Sequence, residues 1–151
     1  MNLKMPPFLK KVVQISLSAI LLNPVNPSHA KWVLLSTDNV GNSYYYEDSK
    51  TVYDPKNDLV STWQLISYTE TLSAPNGEQT QSVIQDMSYF CKIGFESYKQ
   101  FYIGYYSGPD GSGVNVDQAD TSGSNWERVI PDTMSYFLYR FFCKPPNIPT
   151  S

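Results

Sequence analysis

Histidine is nearly missing from this chain: there is one in 151 residues, His29. A Ser-His-Asp triad and a histidine-ligated metal site both need imidazole inside the folded domain, so both fall away if His29 lies in a segment that is removed. Cysteine is scarce, with Cys91 and Cys143 alone. Positive charge is in deficit, eleven Lys and Arg against fourteen Asp and Glu, which argues against nucleic acid or an anionic membrane as partner. A membrane-spanning run is lacking as well. The apolar stretch "VVQISLSAILL", Val12 to Leu22, would rise only about 16 Å as a helix, against a hydrocarbon core of roughly 30 Å.

That short stretch reads instead as the core of a secretory signal. Lys4, Lys10 and Lys11 precede it, and "NPVNPSHA" ends in the small-x-small pattern Ser28-His29-Ala30, which places cleavage before Lys31. The expected organisation is a signal peptide over residues 1–30, one domain over 31–144 and a flexible tail over 145–151. The mature chain would hold 121 residues, 151 less 30, enough for a single core. Three of eleven basic residues leave and no acid does, so eight face fourteen and the net charge becomes −6. His29 leaves too. No cysteine stands beside Ala30 to accept a lipid, so the expectation is an exported, soluble chain of the periplasm or cell surface.

Two cysteines in an exported chain make one disulfide. The rival reading, a catalytic thiolate, needs a nearby base, usually histidine. Joining Cys91 to Cys143 closes a loop of about fifty residues, worth about 4 kcal/mol on the chain-entropy model.

Most of the mature chain has the two-residue period of strands. "KWVLLSTD" and "GNSYYYED" each predict one, and "SKTVYDPKND" predicts an irregular segment ending in a turn at Asp54-Pro55. In "LVSTWQLISYTETL", Val60, Thr62, Gln64, Ile66 and Tyr68 share a face, opposite Trp63 and Leu65. Asn76-Gly77 marks a hairpin. "TQSVIQDMSYFCKI" gathers Val83, Met87, Tyr89 and Cys91 on one face, with Gln85 the polar exception. "SYKQFYIGYYS" sets Phe101, Ile103 and Tyr105 opposite Tyr98, Tyr102 and Tyr106.

From Ser107 the stretch "SGPDGSGVNVDQADTSGSN" predicts a long mobile loop, with at most a short strand at Val114 to Val116. Beyond it, Asp132 is the expected N-cap of a helix whose stripe is Met134, Phe137, Leu138 and Phe141, with Cys143 on the same side. The fold class is α+β and mostly β: an antiparallel meander of about six strands, with one C-terminal helix packed on one face and tied to it by the disulfide.

The motifs in this order resemble the surface-adhesin protein E family of Gram-negative bacteria. "AKWVLLS", "YYYEDSKTV", "SYFCK" and "WERVIPDTMSYFLYRFFCK" carry the resemblance over nearly all of the mature chain. It implies a six-stranded antiparallel sheet with a disulfide-tied C-terminal helix. It also implies binding to host extracellular-matrix or serum proteins such as vitronectin and laminin, by a protein lipid-anchored on the cell surface. The absent lipid-accepting cysteine departs from that pattern and points to the periplasm.

Two functional readings stand. In one, the chain is a non-enzymatic binding module whose contact surface comprises Tyr44, Tyr45, Tyr46, Tyr102, Tyr105 and Tyr106 with the acidic Asp110, Asp117 and Asp120. Exposed tyrosine suits a protein or glycan interface, and the acids suit a basic segment of a protein ligand. The bland account of the same tyrosines is cross-strand pairing that only stabilises the sheet. In the other reading, the chain is a periplasmic structural or envelope-assembly protein with no host ligand. A homodimer through a sheet edge or tyrosine face is compatible with both. A carboxylate-pair hydrolase built on Glu70, Asp86 or Glu96 is a weaker third reading. Calcium on Asp110, Asn115, Asp117 and Asp120 lacks the EF-hand spacing, so no cofactor or metal is expected.

Overall fold

The computed structural model describes residues 31–143; the expected signal, its cleavage point and the tail lie outside the described residues. Alternating side chains set the architecture. Six strands follow one another across an antiparallel sheet in the order β1 (Trp32–Thr37), β2 (Ser43–Glu47), β4 (Leu59–Ser73), β5 (Gln79–Phe90), β6 (Ser97–Tyr106) and β7 (Asn115–Asp120). Two short strands complete it: β3 (Val52–Asp54) pairs with β4 and β8 (Glu127–Arg128) with β6. One helix, α1 (Met134–Cys143), closes the described chain. The meander-plus-helix expectation holds. Its irregular segment does not, because Val52–Asp54 takes up the edge of β4 at Ser61–Leu59 that β2 leaves free beyond Gln64.

Register divides the residues between two faces. Val60, Thr62, Gln64 and Ile66 pair with Tyr89, Met87, Gln85 and Val83, and this face receives the helix. Met87, Tyr89, Val129, Leu138 and Tyr139 form the buried cluster, with Leu35, Tyr98, Met134 and Phe142 packed around it. Cys91 and Cys143 are bonded, with Cα atoms 5.2 Å apart. The polar exceptions are satisfied in a chain across three strands. Gln100 Nε2 donates to Gln85 Oε1 (2.9 Å), Gln85 Nε2 to Gln64 Oε1 (3.1 Å), and Gln64 Nε2 to the Tyr89 hydroxyl (2.8 Å). A buried ladder without a missing partner specifies one register, which an all-apolar face would leave less defined.

The helix begins one residue later than expected. Asp132 sits at φ 62°, and Thr133 is the cap instead: its Oγ1 accepts from the Tyr136 N–H at 3.3 Å. The buried side is also rotated. Leu138 and Tyr139 are buried and Met134 and Phe142 pack on the core, whereas Phe137 and Phe141 remain 42% and 46% exposed.

The expected mobile loop is docked. The segment 107–114 folds over the second face, where Leu65 is 1% exposed. The Asp110 and Gly111 N–H groups donate to Ser67 Oγ (3.1 Å) and Ser82 Oγ (2.9 Å), and Ser82 Oγ donates to the Gly108 carbonyl (2.6 Å). Gly111 lies at φ +73°, and a Cβ there would stand 3.0 Å from Ile84 Cδ1, so only glycine lets the backbone come this close. After the loop, Asn115–Asp120 is a full strand, paired with β6.

Candidate binding face

The sheet splits the candidate tyrosines three and three. Tyr44 and Tyr46 pair with Ile66 and Gln64, and Tyr105 with Val83, so these three share the helix face. Tyr46 lies 5.5 Å and 5.7 Å from Phe141 and Phe142. The Tyr44 hydroxyl donates to Asp38 Oδ2 at 3.2 Å, and burial, with that carboxylate next, pushes its pKa up to about 12. Tyr45, Tyr102 and Tyr106, paired with Leu65, Asp86 and Ser82, lie on the opposite face. Consecutive strand residues must point to opposite sides, so "YYY" could never present one surface.

The acidic candidates are engaged in local structure. Asp117 accepts from the Asn76 and Gln118 N–H groups (3.2 and 2.9 Å) and Asp120 from the Ser122 N–H (2.8 Å), whereas Asp110 docks the loop through its backbone N–H and not its carboxylate. Among the described residues no group of three potential metal ligands forms.

A bulge on β6 changes the expected partition. Asp86 pairs with Tyr102 but Met87 with Gln100, leaving Phe101 unpaired. One extra residue inverts every side chain beyond it. Tyr98 therefore joins the helix face, 6.5 Å from the ring of Tyr89, and parts from Tyr102 and Tyr106.

The face without the helix carries a strip of aromatic rings. Trp63, Asp86 and Tyr102 share one rung across β4, β5 and β6. The two rings approach to 5.7 Å over the strand between them, and the loss of water raises the Asp86 pKa. Glu47, buried, accepts from the Ser49 N–H and Oγ and so caps the turn Asp48–Lys50. That turn delivers Lys50, whose Nζ sits 5.2 Å from the Trp63 ring centre. Four residues along β5, about 13 Å at strand rise, Phe90 meets Trp126 at 6.3 Å. Those two rings, with Asn57, Leu59, Phe95 and Ser97, line a cleft of about 460 Å³. Phe95 is 64% and Trp126 42% exposed. Lys92 and Lys99 set their ammonium groups over Phe95 and Phe101, at 5.4 and 5.0 Å.

This surface suits recognition. Exposed rings supply apolar contact area, and each lysine beside a ring adds a charge whose stem packs on carbon. Glu70, Asp86 and Glu96, the acids of the hydrolase reading, lie in separate parts of the sheet and its connections. Glu70 lies seven residues along β4 from the Asp86 rung, roughly 23 Å, and Glu96 is bound into its own turn, accepting from the Gly94 N–H at 3.1 Å. Of the strip, the sequence singled out Tyr102 among the candidate tyrosines and placed Trp63 opposite the regular stripe of β4. Phe95 and Trp126 belong to connections without periodicity.

Residues 32–144 match the family model described as surface-adhesin protein E. Nothing among curated proteins matches the chain. Among solved structures, the selenomethionine form of Haemophilus influenzae protein E is similar at 18% identity and a TM-score of 0.53, covering 73% of this chain and 84% of that one. A second structure of Haemophilus influenzae protein E is similar at 19% identity and a TM-score of 0.51, covering 74% and 83%.

Proposed function

The chain belongs to the surface-adhesin protein E family, and from that premise we propose that it is an exported, non-enzymatic binding module that takes a host matrix or serum protein on the open face of its sheet. One observation supports this most: the Phe90–Trp126 cleft, where Phe95 and Trp126 keep 64% and 42% of their surface in water. Large aromatic residues in a concave, partly desolvated patch are the side chains that dominate protein interfaces. In this reading Trp126 and Phe95 hold an apolar side chain of the ligand, and Lys50, Lys92 and Lys99 set its orientation. The reading as non-enzymatic is supported by the separation of Glu70 from Asp86 along the sheet, well beyond the spacing of a catalytic carboxylate pair.

Binding of the oxidised domain to immobilised vitronectin and laminin tests the proposal, with Trp126→Ala alongside and protease shaving of intact cells to establish display. Saturable binding weakened at least about tenfold by Trp126→Ala supports it. A protein protected on intact cells that binds neither ligand overturns it in favour of an envelope protein without a host partner.

A further inference from the structure

A second concave surface lies beside the disulfide and takes no part in the aromatic strip. The turn after Cys91, the segment that enters the helix and the outer side of α1 enclose an open groove of about 780 Å³, with Cys91 and Cys143 in its wall. Its volume lies within the range of ligand sites. Its apolar rim is unusual for a chain this polar: Ile93 is 90% and Ile130 62% exposed, and Pro131 lies between Ile130 and the helix. Its charge is opposite to that of the chain. Two arginines, Arg128 and Arg140, line it against a single acid, Glu96, in a protein of net charge −3.

Glu96 faces Arg128, whose charge helps, after the backbone N–H groups, to hold its carboxyl below the ordinary carboxylate range, so the groove keeps one positive charge in excess. Glu96 accepts from the Gly94 N–H at 3.1 Å, which engages its carboxylate in the turn. Arg140 lies over the ring of Tyr136, 5.9 Å from its centre, with Nη1 3.5 Å from the hydroxyl. A guanidinium resting on a ring still offers most of its five N–H donors. The helix contributes no carboxylate, since "MSYFLYRFFC" contains none.

We propose that this groove binds an extended acidic peptide segment of a partner protein, with carboxylates alternating with apolar side chains. Arg128 and Arg140 take the carboxylates, and Ile93, Ile130 and Pro131 take the apolar side chains. The open shape selects a peptide over a fatty acid. Ile93 and Ile130 stand in water at the rim, so an acyl chain laid there would remain half solvated, whereas a peptide turns its polar backbone outward.

The test titrates the oxidised, isotope-labelled domain with a capped heptapeptide alternating Glu and Leu. Its Lys/Leu counterpart and laurate are run in parallel. The proposal expects the Glu/Leu peptide to shift amides of residues 91–96, 128–131 and 136–143. Binding should weaken as ionic strength rises, and Arg128→Glu or Arg140→Glu should each weaken it about tenfold or more. Both arginines are exposed, so an unchanged melting temperature certifies the fold, and Arg140→Gln serves if charge reversal disturbs it. Trp126→Ala should leave the titration unchanged, which separates this groove from the open face. Equal binding of the Lys/Leu peptide, binding of laurate without the peptide, or no shift at these residues overturns the proposal.

Discussion

Tyr89 and Trp63 lie on adjacent strands of one sheet and end in different states. Tyr89 is 1% exposed, stacks on Phe142 at 5.4 Å and accepts the Gln64 amide. Trp63 is half-buried, between the ring of Tyr102 and the ammonium of Lys50. The residue types are alike; what covers them is not. One helix of ten residues covers one face, and on the other the 107–114 loop lies over Leu65 and the Asp48–Lys50 turn over Glu47. The rest is left to lysines and water. In this fold the helix face carries stability and the open face is available for recognition.

The sharpest way to break that division is to release the helix. Cys91→Ser with Cys143→Ser should lower stability by about 4 kcal/mol in urea unfolding; a loss below about 1 kcal/mol would mean the helix holds its face without the bond. Leu138→Ala should cost about 3 kcal/mol in the same assay, because a buried side chain leaves a cavity against Met87 and Tyr89. Gly111→Ala asks whether the loop truly seals its part of the open face. A left-handed φ and a Cβ at 3.0 Å from Ile84 predict a loss of about 1–2 kcal/mol, and a neutral result would detach the loop from Leu65. Trp126→Ala should cost under about 1 kcal/mol while removing ligand binding, the combination expected of a recognition residue.

The smallest effect concerns pH. On the helix face Tyr98 is pushed up to about 12, first by its hydroxyl's 2.6 Å hydrogen bond to Glu127, and Tyr44 to about 12 by burial and Asp38. A raised phenol pKa means that the folded state holds its proton more tightly than the unfolded chain, where tyrosine titrates near 10. Their contribution is therefore full below pH of about 10 and lost as pH rises to about 12. Phenolate absorbance should show both ionising late, and Glu127→Gln should bring Tyr98 back down.

Much of the fold was legible because it is local. Strand alternation, the Asn76-Gly77 turn and the paired cysteines depend on residues near one another in sequence or on simple counting. The turn confirms its reading in detail: Gly77 at φ +89° donates to the Ala74 carbonyl at 2.8 Å. The site was less legible. Trp126 sits in a connection and meets Phe90 because β8 pairs with β6, while Phe95 reaches the cleft from the turn between β5 and β6. The "GPDGSG" segment has the composition of a free loop, yet its glycines allow the close backbone approach that docks it.

By itself the sequence determined the period of each strand, the turn types and which two sulfurs were available to join, since backbone sterics and hydrogen bonding act over a few residues. Only the tertiary structure decided which face each ring occupies. The bulge at Phe101 parts Tyr98 from Tyr102, the helix covers one side, and the loop covers part of the other. A side chain's face is set by register with a distant strand, and its exposure by what packs above it, and neither quantity is written in local spacing.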